Sequence, residues 1–225
     1  SPSQTTTYTV VGTTSGCTDT AYVTVVVNPL PVINASASTS ICAGGSVTLQ
    51  ASGAPNLSWS PATGLNTTSG NSVVASPGQT TIYTVTGSDN GCSNSSTVTV
   101  SVNALPVVTA SANISICAGQ STALTASGAS SYNWSPSSGL DQTTGSTVNA
   151  SPSVDRTYTV IGTDNNGCSA SATVTVTVID LPIAPTSIVG AANHCLPMSA
   201  SFAINPIGNA TSYTWSVPAG MSLTG

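Results

Sequence analysis

The chain has 225 residues, one Arg, no Lys, six Asp and no Glu, for a formal net charge of −5. A single cation, Arg156, cannot neutralise a phosphate backbone, so nucleic acid is excluded as a partner. No apolar run reaches the length of a membrane span, which excludes insertion by a helix.

Low charge does not make this chain disordered, because 39% of its residues are hydrophobic and the apolar positions alternate regularly, a pattern that can bury a core. The chain repeats itself with a period of about 75 residues, so it is an array of similar units. Residues 1–28 match the closing part of a module, since Ser1–Tyr8 aligns with Ser76–Tyr83. Two full modules follow at 29–103 and 104–180, and 181–225 is the opening part of a divergent further module. On this reading the chain begins and ends in mid-domain.

In the first full module, alternation and turn signals predict strand A at 31–41, a turn at 43–46, B at 47–52 and C at 57–60. A middle strand follows at 72–75, then F at 81–88 and G at 94–102. Asp89-Asn90-Gly91 is a hairpin signal between F and G. The G strands at 96–102 and 172–178 put Val on one face and Thr or Ser on the other, as a half-buried pleated surface requires. Short strands separated by frequent turns predict an all-β chain of tandem Ig-like β-sandwiches. The short, Pro-containing junctions Asn28–Pro31, Asn103–Pro106 and Ile179–Pro182 predict a semi-rigid rod. Trp59, Trp134 and Trp215 fall on strand C as core tryptophans. Tyr8, Tyr83 and Tyr158 fall near the start of F, where a phenol packs inside and ties its hydroxyl to a loop.

The residue types of an enzyme do not assemble here. The sole His194 lies in the divergent segment, the Asp residues are scattered, and no nucleophile–base–acid set or carboxylate pair is visible. No catalytic residue, cofactor or metal ligand is therefore assigned. The Asp89-Asn90 and Asp164-Asn165-Asn166 runs carry oxygens that suit Ca²⁺, but Asp, Asn and Gly are also what a tight turn needs. Six cysteines at repeated positions, without a Cys-x-x-Cys pair, point to disulfides and an oxidising compartment rather than zinc.

Four strings carry a family resemblance: Ile-Cys-Ala-Gly-Gly-Ser-Val-Thr-Leu (41–49), Ser-Trp-Ser-Pro-Ala-Thr-Gly-Leu (58–65), the 81–93 stretch ending Asp-Asn-Gly-Cys-Ser, and the closing Thr-Val alternation. They resemble the tandem PKD-like/Ig-like repeats of large surface proteins in Bacteroidetes-type bacteria, including gliding-motility adhesins of the SprB kind. The resemblance implies export by type IX secretion and display on the cell surface. It departs at the end: Cys195 to Trp215 is 20 positions against 17 from Cys42 to Trp59, and 211–220 resembles a sister PKD-like subtype. Asp19-Thr20-Ala21 matches the short pattern on which such bacteria O-glycosylate exported proteins, which makes Thr20 a candidate.

Cys42 and Cys117 precede strand B, whereas Cys17, Cys92 and Cys168 sit at F–G turns. In an Ig-like topology these lie at opposite ends of one sandwich, too far apart for a bond that needs Cα atoms within about 7 Å. Two connectivities stay open. One joins Cys42 to Cys168 of the next module and leaves Cys17, Cys92, Cys117 and Cys195 for other modules or chains. The other pairs Cys42–Cys92 and Cys117–Cys168 within modules.

The expected function is a non-enzymatic, extracellular stalk of a surface adhesin or fibre. Its expected partners are neighbouring modules of the same or identical chains, and surface polysaccharide or other cells. A filament subunit joined head to tail by strand complementation is the second reading. A carbohydrate-binding module with exposed aromatics is the third.

Overall fold

The computed structural model describes residues 1–190 and 201–217. Every regular element among them is a β-strand. The chain divides into two compact units. The first comprises Ser1–Leu105 with Asn165–Cys168, and the second Pro106–Asp164 with Ser169–Gly225.

The first unit opens with a hairpin of β1 (Thr6–Thr14) and β2 (Cys17–Val25), joined by Ser15 and Gly16 in left-handed conformations. The sandwich that follows contains β3 (Asn34–Ala35), β4 (Thr39–Cys42), β5 (Val47–Ser52), β6 (Asn56–Ser60), β7 (Ser72–Ala75), β8 (Thr81–Asp89) and β9 (Cys92–Asn103). One sheet has the order β3-β5-β7 and the other β4-β9-β8-β6. All pairings are antiparallel except β4 on β9, which is parallel and sets Thr39 opposite Val100 and Cys42 opposite Asn103. Two facing sheets with this order form an Ig-like β-sandwich. Strand A is not one strand. It breaks at Ser36–Ser38, so that its first piece joins β5 and its second crosses to β9. A run of small residues lets the chain change sheets, and alternation alone does not signal it.

The second unit repeats the plan with β10 (Thr109–Ala110), β11 (Ile114–Cys117), β12 (Thr122–Ser127), β13 (Ser131–Ser135), β14 (Thr147–Ala150), β15 (Arg156–Thr163) and β16 (Ser169–Ile179). Its sheets are β10-β12-β14 and β11-β16-β15-β13, again with one parallel pair, β11 on β16. After it, β17 (Ile188–Val189) and β18 (Ala203–Ile204) form a short antiparallel pair.

Period-two alternation places one side of each strand in the core. Leu49, Trp59, Val73, Tyr83, Val85, Val98 and Val100 fill the first sandwich. Leu124, Trp134, Val148, Tyr158, Val160, Val174 and Val176 fill the second. Burying each such aliphatic side chain stabilises the fold by about 1.5–3 kcal/mol. The opposite faces are hydroxyl-rich, with cross-strand pairs Thr7–Thr24 and Thr157–Thr175, both 2.9 Å between oxygens. Gly53 and Gly128 each sit at positive φ (108° and 96°), where a Cβ would overlap the carbonyl of Val32 or Val107. Glycine is required at both.

Candidate functional site: the cysteine-bearing strand ends

The candidate positions lie where strands end, and the core explains why they are held there. Trp59 is buried and its indole N–H donates to the Gly70 carbonyl at 3.0 Å. Trp134 does the same to Gly145 at 3.0 Å. These two tryptophans are structural, and neither offers a face to a sugar. Tyr83 donates its hydroxyl to the Thr63 carbonyl (2.7 Å), and Tyr158 to that of Ser138 (3.0 Å). Burial raises both phenol pKa values above 10.0. A smaller opposing effect comes from Thr81 at Tyr83 and from Arg156 at Tyr158.

Two aromatics assigned to cores are not in one. Tyr8 is 46% exposed, although it occupies the place of Tyr83 in the repeat, because no second sheet covers the β1–β2 face among the described residues. Trp215 is 38% exposed and lies outside any strand, because the only sheet described near it in sequence is the two-residue β17–β18 pair.

A polar brace that sequence reading missed fixes the loop after each strand C. The Asn66 side-chain carbonyl accepts the Val74 N–H at 2.7 Å. In the second module Asp141 accepts both the backbone N–H and the side-chain amide of Asn149, at 2.8 and 2.9 Å. Those bonds, with the backbone one first, lower the Asp141 pKa below 3.8. The matched positions of Asn66 and Asp141 in the repeat are the only sequence signal for this brace.

The F–G turns carry the cysteines. Asp89 and Cys92 are paired directly, with Asn90 (φ 46°) and Gly91 (φ 80°) between them, the geometry of a two-residue type I′ hairpin. Thr14 and Cys17 flank Ser15-Gly16 in the same way. The second module has one more residue here: Thr163 pairs with Ser169, leaving Asp164–Cys168 as a five-residue loop. Cys168 is buried in that loop and bonded to Cys42, with Cα atoms 5.5 Å apart and a sequence separation of 126. Cys17, Cys92 and Cys117 are free thiols, with Cys17 and Cys117 exposed. Of the two connectivities open in the sequence, this structure contains the Cys42–Cys168 bond and neither Cys42–Cys92 nor Cys117–Cys168. Cys195 and His194 lie outside the described residues.

The Asn90-Gly91 turn is accounted for by its φ angles, and no group of three or more metal-ligating side chains occurs among the described residues. Thr20 is exposed on β2, beside Asp19, whose carboxylate accepts the Thr20 N–H at 2.8 Å. A shallow polar depression recurs in each module beside the break in strand A, lined in the first by Asn34, Ser36, Gln50, Ser52 and Asn71 and in the second by Thr109, Ser111, Thr125 and Ser127. Neither depression has an aromatic wall on which a sugar ring would stack. No helix is long and apolar enough to cross a membrane among the described residues.

A family model described as a PKD-like domain matches residues 181–225. No curated protein matches the chain. Among solved structures, the chain is similar to the I-band fragment I67–I69 of titin, with 16% identity, 80% of this chain and 77% of that one covered, and a TM-score of 0.41. It is also similar to extracellular domains 3–5 of Drosophila OTK, with 9% identity, coverage of 78% and 71%, and a TM-score of 0.40. The N-terminal eight Ig domains of Down Syndrome Cell Adhesion Molecule give 18% identity, coverage of 88% and 36%, and a TM-score of 0.33. The PKD-like match covers residues 181–225 alone, and the sheet orders of the two sandwiches before it are Ig-like. The disulfide is the chemistry of an extracellular, oxidising setting.

Proposed function

We propose that this chain is a non-enzymatic structural segment of a large bacterial surface adhesin or fibre: a stiff stalk of Ig/PKD-like modules displayed outside the cell. The observation that carries the reading is the Cys42–Cys168 bond, which ties the first module to a residue of the next one in the repeat. Closing a loop of 126 residues removes unfolded-state entropy worth up to about 5 kcal/mol. Such a staple resists bending as well as unfolding, which suits a part that holds something away from a surface.

The resemblance to gliding-motility adhesins extends the proposal to export by type IX secretion. Contact with polysaccharide or other cells is then made by the parent protein, and Thr20 is its candidate site of O-glycosylation. One observation favours a second reading, a filament joined head to tail. The apolar face of β1–β2 is open, with Val10 64% and Val23 57% exposed, while the matching Val85 and Val98 are fully buried.

Negative-stain electron microscopy of the oxidised chain across a concentration series tests both readings. Single rods roughly 100–150 Å long, unchanged with concentration, are the expected result. Flexible beads would overturn the stalk, and filaments growing with concentration would replace it with the second reading.

A further inference from the structure

The repeat allows the β1–β2 hairpin to be compared with its two counterparts residue by residue. In each full module the last residues of strand G are held by a parallel strand. Cys42 lies opposite Asn103 and Cys117 opposite Ile179. The next residue, Ala43 or Ala118, donates its N–H to the Asn103 or Ile179 carbonyl at 2.8 and 2.9 Å. β9 runs on to Asn103 and β16 to Ile179, but β2 stops at Val25, the position of Val100, where the parallel partner of β9 begins.

The backbone beyond Val25 keeps the geometry of its counterparts. Val27 donates its N–H to the Thr5 hydroxyl at 3.1 Å, as Val102 does to Thr80 (3.0 Å) and Val178 to Asp155 (2.7 Å). By period-two alternation, the Val26 N–H then points to the opposite edge, which is open among the described residues. The Asn28 carbonyl stands at the place of the Asn103 carbonyl and is contacted by the Cys92 thiol at 3.6 Å. The Asn28 side chain also donates to the Asn90 carbonyl at 3.1 Å, which fixes the turn carrying Cys92 against this strand end.

We propose that the Val25–Asn28 edge and the Cys92 thiol together form a covalent docking site for a cysteine-bearing strand of the Thr-Ser-Ile-Cys type. Such a strand adds in parallel, as β4 does on β9, and sets its cysteine opposite Asn28. Cys42, set opposite Asn103, meets Cys168; a cysteine opposite Asn28 meets Cys92, which is one repeat before Cys168. The bond forms by thiol–disulfide exchange with a small disulfide such as oxidised glutathione. Two thiols give up two protons and two electrons, one protein disulfide forms, and two glutathione thiols are released. The proposal rests on the stapled-array reading, because it makes the Cys42–Cys168 link one rung of a repeating ladder.

The test uses the full chain with Cys42–Cys168 intact and a synthetic peptide of the 37–45 sequence, Ala-Ser-Thr-Ser-Ile-Cys-Ala-Gly-Gly. Both are equilibrated in a glutathione redox buffer and the adducts are mapped by mass spectrometry. The expected result is peptide on Cys92 at least about tenfold above Cys17 and Cys117, since docking raises the local thiol concentration. A scrambled peptide with the same cysteine should lose that preference, and so should the Val26→Pro chain, which lacks the edge N–H. Equal occupancy of the three thiols, absence of an adduct, or an equal yield from the scrambled peptide would overturn the docking site. None of these outcomes touches the stalk reading, which stands or falls on the particle shape of the unmodified chain.

Discussion

The modules at 29–103 and 104–180 have the same strands, the same sheet orders and matching buried residues, yet their F–G turns differ by one residue. Cys92 follows the two-residue turn as the first residue of β9 and is a free thiol, while Cys168 lies in the five-residue loop just before β16 and is bonded to Cys42. The interior is shared, whereas the connections are decided at the strand ends. One inserted residue there costs the core nothing, because a loop tip buries no side chain that the sheets need.

The largest expected effect would show how far the shared interior reaches. Trp59→Ala and Trp134→Ala should each destabilise their own module by about 3–5 kcal/mol, read by denaturant unfolding followed by far-ultraviolet circular dichroism. Similar losses would confirm that the two cores are equivalent, and a much smaller loss in one would break the comparison. Next comes the bond itself. Cys42→Ser should raise the thiol titration of the unfolded chain by one and lower stability by roughly 2–4 kcal/mol. Deleting Asn166, which gives the second module the two-residue turn of the first, should keep the Cys42 bond, and loss of the bond would break the likeness between the two turns.

A smaller effect is expected from Tyr83→Phe and Tyr158→Phe, about 1 kcal/mol each for the lost hydroxyl bond. Their titration adds a pH signature. Each phenol has a folded pKa raised above its unfolded value near 10.0. The stabilisation is therefore complete below pH 10 and is lost as pH rises from there through the folded pKa. Both Phe variants should flatten the alkaline decline of the thermal midpoint. The smallest effect separates the modules at the other end of the scale. Asp141 has a lowered pKa, so its contribution is present above 3.8 and is lost as pH falls through the folded value. Asn66, its counterpart, does not ionise. Asp141→Asn should remove a weak acid sensitivity of the second module, checked by thermal melts between pH 5 and pH 2.

Alternation made most of the fold legible. Strand B was expected at 47–52 and the middle strand at 72–75, which are the bounds of β5 and β7, because Val, Leu and Ala recur on one face there. The break in strand A was not legible, since Ser36-Ala37-Ser38 carries no pattern that distinguishes a sheet change from a continuous strand. Alternation also says which face is buried but not which neighbour pairs or in what direction, so the parallel set of β4 on β9 was hidden. Burial of Tyr8 failed for a related reason. Its hairpin forms locally from turn chemistry and register, while coverage comes from a second sheet that a local pattern does not contain. For the cysteines, spacing left two pairings open, and what decides between them is the parallel set of β4 on β9, which carries Cys42 to the Asn103 end of its module, away from Cys92.

The hydroxyl pairs on the outer faces have a consequence for the medium in which the chain works. Thr7–Thr24 and Thr157–Thr175 are neutral contacts, and with one Arg and no Lys the chain has at most one Arg–carboxylate pair for ions to screen. Screening acts on separated charges, and at 0.15 M its length is already about 8 Å. Dilution towards fresh water lengthens it, and brine shortens it, with almost nothing in this fold to respond. The sandwiches should therefore unfold at nearly the same temperature from river water to sea water, a tolerance that comes from threonine replacing charge.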